Sequence, residues 1–288
     1  MSASPGGYAA EPTGHEAIIA RTMPRTRLDV ALVERGLFPT RARAQAAVLA
    51  GRVSVGGARA EKPGVAVPEG ADLAVAQAPE YVSRGGHKLA NALDALGVDV
   101  QGARAIDLGA STGGFTDVLL RRGAQHVVAV DVGYGQLDWR LRNDPRVSVL
   151  ERTNARTLTP SDLPYAPDLV TCDLAFISVA TVWPAVAECL DPSYRALVLV
   201  KPQFEVGPRD VGKGGVVRDP HLRAAAIEIV AAAVASTGGQ PAGVVDSGLP
   251  GPAGNREAVL YVLGPAHPAP ACDLRSDIER ATGGIDGH

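Results

Sequence analysis

Beyond residue 100 the chain alternates short apolar runs with longer stretches whose apolar positions fall at helical spacing. The runs Ala105–Leu108, Val127–Val130, Val147–Leu150, Leu169–Cys172, Ala196–Val200, Gly243–Ser247 and Ala258–Leu263 predict seven strands. Strands alternating with helices predict an α/β fold on a mostly parallel sheet. Only a turn-rich loop separates the last two runs, so these should form a terminal hairpin. A helix is expected from Asp117 to Arg122, and another through Leu89, Leu93 and Leu96.

The first part of the chain has a different rhythm. Arg27–Gly36 carries apolar residues at 28, 32 and 33, a helical spacing. Thr40 is placed to cap a second helix, Arg41–Ala50, which Gly51 stops. Val53-Ser54-Val55 before Gly56-Gly57 predicts a strand and tight turn, and Val65, Val67, Leu73 and Val75 predict two more short strands. These elements make a small α+β module of residues 23–78, followed by a linker at 79–84 and a large domain at 85–265. Residues 1–22, rich in Gly, Ala, Ser and Pro, are expected to be a disordered extension or to arise from an upstream start codon, since Met23 precedes the first organised segment. Residues 266–288 are expected to be loosely ordered, with a short helix available at Asp273–Ala281.

Charge changes the picture locally. The 288 residues carry a formal net charge of only -3, yet eight basic residues face three acidic ones between Arg25 and Lys62. Such segregation is the electrostatic footprint of a phosphate-backbone binder. Phe38 is the module's only aromatic, so a folded RNA surface is expected rather than base stacking on single strands. The three cysteines, Cys172, Cys189 and Cys272, form no C-x-x-C pair, which fits a reducing cytoplasm and offers no zinc site. No apolar run approaches the ~20 residues of a membrane helix, and a secretory leader is not expected.

Candidate chemistry gathers at the strand ends. Asp107-Leu108-Gly109-Ala110-Ser111-Thr112-Gly113-Gly114-Phe115 leads from the first predicted strand of the large domain into a helix, and Asp131 ends the next strand. Glycines let backbone approach a nucleotide-like ligand, and the second carboxylate can reach a ribose. The form D-x-G-x-x-x-G-G is similar to the S-adenosylmethionine (SAM) loop of methyltransferases. Val132 and Asn154 are further candidates, the latter for an adenine edge. Asp173 and Lys201 end the fourth and fifth strands. A lysine directly after four apolar strand residues is costly to bury without a role. Lys88 opens a helix in V-S-R-G-G-H-K-L, and Glu257 enters the last strand in G-N-R-E.

Lys88, Asp173, Lys201 and Glu257 together resemble the Lys-Asp-Lys-Glu set of FtsJ-type ribose 2'-O-methyltransferases. More closely, the chain resembles the TlyA family of ribosomal RNA cytidine 2'-O-methyltransferases, also labelled haemolysin-like. The motifs V-S-R-G-G-H-K-L, D-L-G-A-S-T-G-G-F-T, V-D-V-G-Y-G-Q-L, E-R-T-N-A-R, D-L-A-F-I-S, V-K-P-Q-F-E-V-G and G-N-R-E carry the likeness. T-R-L-D-V-A-L-V-E-R-G-L, T-R-A-R-A and G-R-V-S-V-G-G resemble the alpha-L (S-four type) RNA-binding domain, whose matching positions make Arg25, Arg27, Arg41 and Lys62 the expected RNA contacts. The resemblance implies a Rossmann-like catalytic domain, SAM as cofactor and ribosomal RNA or subunits as partner; no metal, no membrane and a cytoplasmic location are expected, and the oligomeric state is left open with a monomer favoured. It implies Lys201 as base or orienting donor, tuned by Lys88, with Asp173 and Glu257 orienting the lysines. Members acting on both subunits often carry an aromatic, basic linker before V-S-R-G. Here it reads Ala-Pro-Glu-Tyr, with Tyr81 the only aromatic.

Three alternatives stand beside this expectation. A non-catalytic ribosome-assembly factor would not need the complete tetrad and glycine loop. A membrane-lytic haemolysin would need a spanning or strongly amphipathic basic helix. A base methyltransferase would carry an Asn/Asp-Pro-Pro-aromatic motif or a cysteine nucleophile, whereas Asp173 is followed by Leu-Ala-Phe.

Overall fold

The computed structural model describes residues 24–77 and 79–283. The chain splits into two compact units, Met1–Pro79 and Glu80–His288. The extension expected at 1–22 lies outside the described residues.

In the first unit, β1 (Arg25–Arg27) runs directly into α1 (Leu28–Glu34), and Pro39-Thr40 leads into α2 (Arg41–Leu49). Thr40 accepts the Arg43 N–H through its hydroxyl oxygen, satisfying one of the orphan donors of a helix start. The two helices bury Leu28, Leu32, Ala44, Ala47 and Val48 against Val53 and Val67. A fully buried leucine contributes about 2 kcal/mol here, enough for a small core to hold. Then come β2 (Val53–Val55), β3 (Ala58–Arg59), β4 (Ala66–Pro68) and β5 (Leu73–Val75). β2 lies between β3 and β5, while β1 pairs with β4, all antiparallel. The Arg-Thr-Arg strand was not predictable from apolar pattern, because it has no apolar residue and exists through its ladder to β4.

The second unit begins its regular structure with α3 (Gly85–Leu96), β6 (Arg104–Leu108), α4 (Gly114–Arg121), β7 (His126–Val130), α5 (Trp139–Arg142) and β8 (Val147–Leu150). It continues with β9 (Leu169–Cys172), α6 (Val179–Ala187), β10 (Arg195–Val200), α7 (Pro202–Glu205), α8 (Pro220–Ser236), β11 (Gln240–Asp246), β12 (Ala258–Leu263) and α9 (Leu274–Thr282). One seven-stranded sheet runs β11-β12-β10-β9-β6-β7-β8, parallel except for β12, which is antiparallel to β10 and β11. Alternate strand residues feed two cores. Ile106, Val128, Val170 and Val198 meet Trp183 and α8 on one face; Ala105, Val127, Leu169 and Leu197 meet Leu89, Leu93 and Val118 on the other. Strand order reverses at β6 and β9, which opens a crevice beyond their carboxyl ends, where ligands of such sheets bind.

Three expectations need correction. The helix expected from Asp117 starts at Gly114, because Gly113 at φ 95° closes the preceding loop and is followed at once by helical backbone. β11 begins at Gln240 rather than Gly243; Pro241 and Gly243 disguise it, and the register shift between them marks an edge-strand irregularity. The short helix available at Asp273–Ala281 is present as α9, but its part of the tail is not loose, since Ile278 and Ala281 are buried in the main core. Asp273 caps that helix through the Ser276 N–H, and Gly283 ends it in the left-handed region.

Candidate active site

The chain leaves β6 through Gly109, where φ is 80° and a Cβ would lie 2.4 Å from the Asp173 carbonyl oxygen. Only glycine fits where two strand ends come so close. Ser111 follows at φ 48°, a strained conformation for a residue with a side chain. That strain turns its N–H toward Asp131, whose Oδ2 accepts it at 2.7 Å while Oδ1 accepts the Gly133 N–H at 2.6 Å. The acidic residue after β7 is therefore fixed by backbone at the edge of the loop. A Cβ at Gly114 would meet Ser83 Oγ at 2.2 Å and force that hydroxyl aside.

Two cavities adjoin at this loop, sharing Gly109, Ser111 and Asp173. One, of about 420 Å³, is lined by Lys88, Asp173, Lys201 and Glu257, by Thr112, Gly114 and Phe115, and by Ser83, Arg84 and Pro252. The other, of about 410 Å³, is lined by Asp131, Val132, Gly133, Gln136, Asn154 and the Leu174–Ile177 stretch. All four residues of the expected tetrad thus reach one space, from the start of α3, the ends of β9 and β10, and the start of β12. They form two pairs. Lys88 Nζ donates to Glu257 Oε2 at 2.5 Å, and Lys201 Nζ lies 2.6 Å from Asp173 Oδ1. The second contact is off the hydrogen-bonding direction, so it is Coulombic in character. Each lysine is set by its own carboxylate.

Asp107 and Gly113 correct the expected cofactor set, because neither lines a cavity. Asp107 is fully buried beneath the loop, accepting the Thr116 hydroxyl at 2.6 Å and the Thr171 hydroxyl at 2.9 Å. Desolvation pushes its carboxyl up to about 6, against the lowering effect of the two threonines. It joins β6, β9 and α4 beneath the loop, buried away from both cavities. Gly113 is favoured because its φ of 95° is one that residues with a side chain rarely adopt. Asn154 does line the second cavity, but its Oδ1 accepts the Arg156 N–H and caps a short 3-10 turn. That leaves its amide nitrogen for a ligand.

Phe176 escaped the sequence pattern. It is 92% exposed, sits at φ 65° in the loop after β9, and tilts against Phe204 with ring centroids 5.4 Å apart. Its only signal was an aromatic residue directly beyond a strand-end carboxylate.

In the first unit the expected RNA contacts are not equivalent. Asp29, wholly buried, accepts from Arg27 at 3.0 and 3.1 Å, from Arg41 at 3.1 Å and from Gln45 at 2.6 Å. The Arg27 guanidinium, foremost, holds the Asp29 carboxyl well below the usual carboxylate range. Arg27 and Arg41, each with a half-exposed side chain, therefore also have a structural partner. Arg25 donates to the Ala66 carbonyl, whereas Lys62 is exposed.

The FtsJ-like methyltransferase model matches residues 81–263. A 16S/23S rRNA (cytidine-2'-O)-methyltransferase TlyA from Mycobacterium tuberculosis is 53% identical over 83% of this chain and 90% of its own length. The chain belongs to the TlyA family of FtsJ-like methyltransferases. The S4 domain model matches residues 26–73, so this TlyA member joins an RNA-binding fold to its methyltransferase domain. Hemolysin A of Brachyspira hyodysenteriae is 35% identical over 82% of this TlyA chain and 99% of its own. A solved structure, of a provisionally named hemolysin from Streptococcus thermophilus, superposes with a TM-score of 0.69 at 38% identity, covering 91% of this chain and 96% of that one. No helix among the described residues is long and apolar enough to cross a membrane.

Proposed function

We propose that this enzyme transfers a methyl group from SAM to the ribose 2'-hydroxyl of a cytidine in ribosomal RNA, of the small or the large subunit, and that the S4 domain docks the RNA. The observation that carries this is the convergence of two lysine–carboxylate pairs on one cavity beside the Gly109 loop. The M. tuberculosis relative's name supplies the nucleotide.

The residues present fit SAM. Two adjoining cavities give room for a two-part ligand, and no Cβ could be tolerated at Gly109 between them. Glu257 Oε1 is a buried carboxylate oxygen without a hydrogen-bond partner among the described residues, ready for a donor that a ligand brings. Asp131 would hold the ribose hydroxyls, Val132 and the Asn154 amide the adenine, and the backbone of Gly109–Thr112 and Gly114 the remainder.

When bound, SAM supplies a methyl group already activated by its sulfonium. A ribose hydroxyl is barely ionised at neutral pH, so the protein's task is to align the oxygen and manage one proton. Lys201 orients the 2'-oxygen and, as base, would take the proton that oxygen loses, while Asp173 holds Lys201 in place. Lys88 and Glu257 complete an electrically balanced wall that keeps the developing charge fixed rather than solvated. Arg84 on the cavity rim suits a phosphate, and the exposed Phe176 ring suits a base stacked against it. Incubating purified small and large subunits with tritiated SAM, then mapping 2'-O-methyl sites, tests the assignment. Label on cytidine ribose is expected; label on a base, or none, would overturn it.

A further inference from the structure

The first N–H groups of a helix need acceptors from outside it. At the start of α6 the preceding Ser178 makes no side-chain cap of its own. Glu205, the last residue of α7, reaches across instead. Its Oε1 accepts the Val179 N–H at 2.8 Å and its Oε2 accepts the Ser178 hydroxyl at 2.6 Å. A carboxylate at a helix N-terminus is further favoured by the helix dipole.

This contact joins two strand-end segments that both carry proposed catalytic groups. The loop from Asp173 to Ser178 is tied at its start by the Asp173 N–H bond to the Leu108 carbonyl, 2.8 Å. Glu205 ties its end. Between the two ties lies Phe176, whose left-handed backbone persists only if its surroundings hold it. Glu205 lies four residues beyond Lys201, and its neighbour Phe204 is the ring that meets Phe176. Loop and lysine are therefore joined twice, once by the Lys201–Asp173 ion pair and once behind it by Glu205.

We propose that Glu205 is a positioning residue for methyl transfer: by capping α6 from α7 it fixes Asp173 and Phe176 relative to Lys201. This rests on the assignment of Asp173 and Lys201 given above. The role is geometric: the Leu174–Ile177 stretch also lines the second cavity, so some SAM affinity is lost with it, but turnover falls further.

The test uses full-length protein carrying Glu205→Ala, Glu205→Gln or Ser178→Ala. Methylation kinetics on ribosomal subunits, SAM affinity by calorimetry and thermal midpoint are measured on each. Glu205→Ala should lower kcat about 10²-fold, the usual consequence of a misplaced catalytic group, with a much smaller fall in SAM affinity. Glu205→Gln keeps an acceptor for the Val179 N–H and should recover to within about fivefold of wild type. Ser178→Ala, which removes one hydroxyl, should lose about threefold in kcat, and it keeps the test decisive if Glu205→Ala fails to fold. Full kcat in Glu205→Ala or in Ser178→Ala overturns the proposal. So does a glutamine variant no better than alanine, or a loss of SAM affinity in step with kcat. A wild type that methylates no ribose would overturn the functional assignment instead.

Discussion

The Lys88 ammonium and the Glu257 carboxylate meet at 2.5 Å across 169 positions of chain, and both side chains are almost fully buried. Two charges withdrawn from water repay their desolvation only through each other and through further hydrogen bonds. The pair links α3 to the entrance of β12, so this wall of the proposed active site is also a clasp on the fold.

That clasp predicts an asymmetry between single and double replacements. Lys88→Met strands a buried carboxylate and should cost about 3 to 5 kcal/mol of stability. Adding Glu257→Gln should restore much of that loss while leaving methyl transfer abolished. Urea unfolding of the two variants checks it; equal stability of the single and double variants would contradict the prediction.

Lys201 behaves differently because its partner Asp173 is partly exposed and the contact is not a hydrogen bond. Lys201→Ala should therefore fold with little loss, bind SAM nearly as the wild type does, and lose about 10²- to 10⁴-fold in kcat. Undiminished single-turnover methylation would remove Lys201 from the mechanism.

Asp107 makes the stability of the protein depend on pH. Burial raises its carboxyl from the ordinary 3.8 to about 6, so the folded state holds a proton that the unfolded state releases earlier. Its contribution is full below about pH 4 and is lost as pH rises through about 6. A shift of this size corresponds to about 3 kcal/mol. Asp107→Asn, still able to bond both threonines, should flatten the change in stability between pH 4.5 and pH 7.5, as followed by urea melts at each pH. A variant with the wild-type slope would place the titration elsewhere.

How much of this was legible beforehand depended on what each residue does. The parallel strands were legible because they are buried on both faces and read as nearly continuous apolar runs. β1 was hidden by its lack of apolar residues, whereas β11 was legible except for its start, which Pro241 and Gly243 disguise. The tetrad was legible through its motifs, but its pairing was not, because which lysine meets which carboxylate is decided by β12 inserting beside β10. Asp107 was read as a ligand contact because it precedes the loop; strand pleating turns it instead toward Thr116 and Thr171. Glu205 and Asp29 act by bonding distant segments, and no local pattern announces such ties.

The last prediction concerns the S4 domain, where structure changes the choice of variant. Reversing the charge of Arg41 would set a carboxylate beside buried Asp29, so any loss of RNA binding would be confounded with unfolding. Lys62→Gln avoids this, since Lys62 is exposed. Arg41→Gln keeps a donor for Asp29 while removing the charge. Each replacement should weaken binding to ribosomal RNA at low salt and reduce the slope of log affinity against log salt by about 1 for every phosphate no longer neutralised. The thermal midpoint should stay put for Lys62→Gln. An unchanged slope in both variants would mean that the phosphates are gripped elsewhere on the chain.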